Sequence, residues 1–288
     1  MKKVFSFIGI LVSILLMSGC VIESNNNKIY TTSYPITFIT SYLLGDSDKI
    51  ESIYPNDTNP DEFKWTNKIT KEYAKGKIFI YNGLTGEKEY AKKLVNTNPK
   101  LNIIDASENI KYDYSVKESW FCPYNFMVLV KNIKEHLIEL STSQEDIKTI
   151  NNNYKVLEQE ISSMDAYLRN VAAEYTKSEK KPVIISANSD FKYLEDYGFE
   201  VISLEDSISD TNLATIKANF KNKNYESIIA FNGYENSEIV NSLVSECDAK
   251  IVYVNPIVSL TNDDVLKNET YITLMNSFIE SLKNVVAK

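Results

Sequence analysis

Residues able to ligate a metal through nitrogen or sulfur are scarce in this chain. One histidine, His136, and three cysteines, Cys20, Cys122 and Cys247, are all the imidazoles and thiols in 288 residues. A single imidazole excludes a multi-histidine zinc centre. No nucleophile–base pair and no phosphate-cradling Gly-rich loop stands out either. Carboxylates are plentiful, with 39 Asp and Glu; such groups hold hard cations or remain solvated and hydrogen-bonded. Paired acids alone are not a mechanism, so these residue types point to a binding protein rather than an enzyme. His136 lies in an amphipathic segment between Leu129 and Leu140 and reads as a helix-surface residue. Cys122 and Cys247 could pair, but no spacing demands it.

The charge balance narrows the partners. Net charge is −8, and the two lysines before Cys20 leave the chain from that residue onward at −10. An acidic chain without a basic patch argues against nucleic acid and tolerates cationic ligands. Apolar residues make up 43% of the sequence, enough for one large domain or two ordinary ones.

The first residues read as an export signal. Lys2 and Lys3 precede an apolar run from Val4 to Met17, and Ser18-Gly19-Cys20 closes it. The run is too short to span a bilayer and fits a signal peptide over 1–19. Small residues before a cysteine resemble the bacterial lipobox, with Met17 where Leu is usual. Cys20 would then be the lipidated mature terminus, followed by a polar tether over 20–28. The expected location is the cell membrane, lipid-anchored on its extracytoplasmic side.

Elements that could position a site follow in regular order. From Lys28 strand and helix signals alternate as far as 104, and the same alternation resumes at 183. Repetition of this kind predicts α/β architecture: two lobes, each a mainly parallel sheet with flanking helices. Between them, Ile147, Ile150, Tyr154, Leu157, Ile161, Met164, Leu168, Val171 and Tyr175 recur at steps of three and four, with no Gly or Pro among them. This spacing predicts one helix over 144–177, about 50 Å long at ~1.5 Å per residue. A coiled-coil seam also fits such spacing, but the α/β sequence on both sides favours a rigid strut. The lobes are then 29–143 and 178–288. Ligands in such sheets bind beyond the carboxyl ends of the strands, which places the candidate loops near 55–61, 118–123, 187–190 and 255–259.

Several short motifs, in order, resemble the substrate-binding lipoproteins of zinc and manganese ABC importers. The segment from Pro55 to Phe63 is similar to that family's P-x-G-x-D-P-H-x-[YF] loop. Tyr81-Asn82-Gly83-Leu84 with Glu87 resembles the next strand, turn and helix, and Trp120 to Pro123 the end of H-x-W-x-x-P. Phe191 to Leu194, Tyr197-Gly198, Asn255-Pro256, Tyr271 and Met275 fit the remainder. The resemblance implies two lobes joined by a long helix, with a metal in the cleft. It transfers the four ligand positions to Asp61, Glu118, Asn188 and Asn255, none of them the histidine usual at the first two. An oxygen-only set implies a divalent cargo of the manganese, calcium or magnesium type in preference to zinc. Implied partners are an ABC permease and ATPase, with the binding protein itself a monomer. A second reading is a degenerate member without metal, acting in surface interaction or adhesion or binding another small solute.

Overall fold

The computed structural model describes residues 27–45, 48–110, 118–176, 180–204, 208–233 and 236–287. The signal-peptide and Cys20 expectations lie outside these residues. Among the described residues, no helix is long and apolar enough to cross a membrane.

Two four-stranded parallel sheets form the lobes. In the first, β1 (Ile29–Thr31), β2 (Ile50–Ser52), β3 (Ile78–Tyr81) and β4 (Asn102–Asp105) lie in the order β2-β1-β3-β4. In the second, β5 (Val183–Ser186), β6 (Glu200–Ser203), β7 (Ser227–Phe231) and β8 (Lys250–Val254) repeat that pattern as β6-β5-β7-β8. Order therefore reverses next to β1 in one lobe and β5 in the other, and such reversals open crevices at the strands' carboxyl ends. Helix α1 (Tyr34–Leu44) has Pro35 in its first turn and ends at Gly45, whose φ of 66° only a residue without Cβ adopts freely. Its counterpart in the second lobe, Ser189–Tyr197, is a 3-10 helix ended by Gly198 at φ 105°.

The long helix, α5 (Gln144–Tyr175), is continuous and follows α4 (Pro123–Leu140). Ser143 caps it by accepting from the Asp146 N–H at 3.2 Å. Of the nine stripe residues, Ile150, Leu157, Ile161, Met164, Leu168 and Val171 are fully buried. The helix touches α1 and α4 of the first lobe and the closing helix α9 (Tyr271–Leu282) of the second. Burial of one such Leu or Ile contributes about 1.5–3 kcal/mol, so this seam binds both lobes strongly.

Strand alternation divides the remaining core. Ile78 and Ile80 of β3, and Ile229 and Phe231 of β7, turn to one continuous core that also holds the long helix. Their neighbours Phe79 and Tyr81, and Ile228 and Ala230, turn outward to two separate cores, one per lobe. Tyr271 of α9 is driven into this shared core. Its ring stacks on Phe126 with centroids 3.8 Å apart, and its hydroxyl donates to the Trp120 carbonyl at 2.5 Å. The C-terminal helix thereby fastens the second lobe to the first.

His136 is on the surface of α4, near Glu108 and Glu139. Cys122 and Cys247 are both buried and unpaired with each other.

A shared core predicts joint melting. Differential scanning calorimetry should give one transition for both lobes, and Leu168→Ala should destabilise by about 2–5 kcal/mol while keeping it single. Two resolved transitions would show that the lobes fold independently.

Candidate functional site

A cavity of about 660 Å³ opens between the lobes at the carboxyl ends of both sheets. The first lobe supplies the turn after β2, the start of the helix after β3, and Glu118 with Trp120; the second supplies Asn232-Gly233 and the segment after β8. Asp61, Glu118 and Asn255 line it, and Asn188 is not among the lining residues.

Local chemistry explains each placement. Asp61 lies in a 3-10 turn, Pro60–Glu62, where the Asn59 side chain accepts the Asp61 N–H at 3.1 Å. It is exposed at the cavity mouth. Glu118 is buried at 7% exposure just before the 3-10 turn Ser119–Phe121. Asn255 uses its amide oxygen to accept the Ile257 N–H at 2.9 Å. That turn holds Ile257 at φ 58°, a conformation costly for a β-branched residue and a mark of a constrained site. Asn188 caps the 3-10 helix beyond β5: its oxygen accepts the Asp190 N–H at 3.2 Å and its amide donates to the Asp190 carboxylate at 2.6 Å. Loop 187–190 is thus occupied with starting a helix, whereas the other three expected loops contribute to the cavity.

Hydrogen bonds lace the two lobes along the cavity rim. The Asp57 N–H donates to the Leu260 carbonyl at 2.9 Å, and the Asp57 carboxylate accepts both the backbone and the side-chain N–H of Asn262. Asp57 has φ 58° and stands where the resembling family has glycine, so these contacts hold the backbone in a region that glycine enters freely. The Thr58 N–H donates to the Ser259 hydroxyl at 3.1 Å. Behind them, the Trp120 indole N–H donates to the Pro256 carbonyl at 3.0 Å.

The wall also contains a carboxyl that the site expectation left out. Glu87 is 6% exposed and accepts the Asn82 N–H at 2.9 Å and the Tyr54 hydroxyl at 3.2 Å. Burial pushes its pKa up to about 7, against the opposing pull of those hydrogen bonds. Its sequence signal was the turn Asn82-Gly83 five residues upstream. Gly83 is needed because a Cβ there would overlap the Asp105 carboxylate, which accepts the Gly83 N–H at 3.0 Å. Tyr54, Phe63, Tyr90 and Trp120 give the cavity aromatic walls. Among the described residues, no group of three or more His, Cys, Asp or Glu side chains could hold a metal ion.

Comparison with known proteins now places the chain. The family described as zinc-uptake complex component A, periplasmic, matches residues 29–285. The chain belongs to this family. Zinc-binding lipoprotein AdcA of Streptococcus pneumoniae is 24% identical over 310 residues, covering 94% of this chain. The chain spans 60% of the length of AdcA. High-affinity zinc uptake system protein ZnuA of Bacillus subtilis is 23% identical, over 91% of this chain and 89% of that protein. The Zn(II)-bound ZnuA-like domain of S. pneumoniae AdcA has the same fold, with a TM-score of 0.72 at 22% identity over 91% of this chain and all of that one. The expected family, the two-lobed α/β fold and the non-enzymatic class therefore stand.

The cargo expectation does not. A manganese, calcium or magnesium type of ion was expected over zinc, yet the family and both relatives are named for zinc. Oxygen donors alone do not rank zinc last. Carboxylates are ordinary zinc ligands, and a given donor set generally binds zinc more tightly than manganese.

Glu87 gives the site a measurable pH signature. Its folded pKa of about 7 lies above the ordinary carboxyl value of 4.5, so folding takes up a proton between them and stability falls as pH rises through that window. The loss amounts to roughly 3 kcal/mol at ~1.4 kcal/mol per pH unit. Glu87→Gln should flatten this fall when urea unfolding is compared at about pH 5 and about pH 8. An unchanged pH dependence in the variant would show that Glu87 is already ionised at pH 5.

Proposed function

We propose that this chain is the extracytoplasmic, lipid-anchored solute-binding component of an ABC importer for zinc, taking its cargo in the cleft between the lobes. The cavity at the carboxyl ends of both sheets carries this reading, because it is where a ligand can touch both halves at once. Family membership over residues 29–285 supports the cargo class. Asp61 and Glu118 supply two negative charges in one wall system, enough to neutralise a divalent ion. Asn255 adds a neutral oxygen weakened by its bond to Ile257, and Asn188 acts by shaping its loop. A membrane permease and ATPase would receive the cargo. Cys20, after the signal-like run, would carry the acyl chains that keep the protein at the membrane.

One expression experiment tests these roles together. Cells are fractionated, and each purified protein is assayed for zinc by elemental analysis without chelators. The wild type should be in the membrane fraction with zinc bound. Cys20→Ala should leave the membrane and keep its zinc. Asp61→Ala and Glu118→Ala should stay in the membrane and lose most of it. A zinc-free wild type would favour a surface-interaction protein on the same scaffold, and a membrane-bound Cys20→Ala would overturn the anchor.

A further inference from the structure

The cavity has a covered floor and a fastened rim. Tyr54, Glu87, Glu118 and Trp120 all line it, yet each is buried. The frame beneath resists widening, because both lobes share the core around α5. Entry of a solute then depends on the loops at the rim.

The two rim segments are held differently. In the second lobe, segment 256–258 is pinned from behind. The Trp120 indole N–H donates to the Pro256 carbonyl at 3.0 Å, and the Tyr34 N–H donates to the Val258 carbonyl at 2.7 Å. In the first lobe, residues 55–57 of the facing turn are exposed. Among the described residues, every hydrogen bond of Asp57 and Thr58 crosses to the second lobe. The Asp57 N–H reaches the Leu260 carbonyl, and its carboxylate accepts from Asn262. The Ser259 hydroxyl accepts the Thr58 N–H and donates to the Thr58 carbonyl, both at 3.1 Å. Near the surface each such bond competes with water and is worth little net. Breaking them also lets Asp57 leave its left-handed φ of 58°. Pro55 and Pro60 bracket the turn and fix φ at its two ends.

We propose that the turn 55–58 is the gate of the cleft: it swings off segment 259–262 to admit or release a solute, while the lobes and segment 256–258 stay in place. This goes beyond the zinc-uptake reading and holds whatever the cargo. Opening is a local event that breaks a few exposed bonds and leaves the apolar core closed.

The test uses full-length protein carrying Leu84→Cys. Leu84 lines the cavity from the first lobe, is half-buried and lies outside the strap. Alkylation of the introduced thiol by iodoacetamide is followed over time by mass spectrometry of its peptide. Cys122, buried in the shared core, is the internal reference. With the strap intact, the introduced thiol should react far more slowly than free cysteine. Asp57→Gly with Ser259→Ala removes the crossing side chains, and glycine adopts the positive φ freely. This pair should speed alkylation of the introduced thiol at least about tenfold, by raising the open population, and leave the rate at Cys122 unchanged. Reaction as fast as free cysteine with the strap intact would overturn the proposal, because the cavity would be open without the turn moving. No acceleration in the strap variant would place the entrance elsewhere. Equal acceleration at Cys122 would show that the strap holds the whole fold and is not a gate. No cargo is present in any arm, so none of these outcomes bears on the zinc-uptake reading.

Discussion

Burial of one helical stripe governs this molecule. The seam from Ile150 to Val171 is packed by helices of both lobes, and Tyr271 enters from the second lobe to stack on Phe126 of the first. To turn one lobe against the other, either this core must open or the helix must bend. Sharp bends need a proline, a glycine or an inserted group in the hydrogen-bond ladder, and the stripe contains neither proline nor glycine. The geometry of the cleft is therefore set by the core beneath it, and adjustments to cargo fall to the loops above.

Those loops are themselves tied. Asp57, Thr58, Ser259 and Asn262 form a strap of hydrogen bonds across the rim, and Trp120 reaches Pro256 behind it. Both strapped segments contain a non-glycine residue at positive φ, Asp57 and Ile257. Conformations of that kind persist where surrounding contacts over-determine them. Here the contacts are polar and near the surface, so the strap is the softer part of a stiff frame. The Glu87 carboxyl belongs to the stiff part: it is sealed under the cavity wall with Tyr54 and Asn82, and its ionisation is resisted by burial.

Much of this was legible in the sequence, for reasons that differ between elements. The long helix followed from periodicity alone, since a stripe of nine apolar residues has few other uses. The sheets followed from short apolar runs separated by helical segments, and their repeated order from the repetition of that pattern. The outward turn of Phe79 beside the inward turn of Ile78 is the plain period of a strand. Loop 187–190 was harder to read. It follows a strand end like the others, but Asn188 and Asp190 bond to each other and begin a 3-10 helix instead of facing the cavity. Sequence shows which residues follow a strand and does not show where their side chains turn. The preference for hard ions failed for a related reason. It treated four transferred positions as a complete donor set, although of the four only Asp61 and Glu118 are carboxylates that line the cavity, Asp57 and Glu87 line it as well, and the relatives are named for zinc.

A helix locked into a core shared by both lobes leaves them where they are when the proposed cargo binds. Pulsed electron resonance between spin labels at Lys93 of the first lobe and Lys221 of the second, both exposed, measures it directly. With the labels on cysteines introduced at these positions, a single narrow distance should appear and stay within about 2 Å on addition of zinc. A broad distribution without cargo, or a shift of many ångströms with it, would show that the long helix and its shared core act as a hinge and not as a strut.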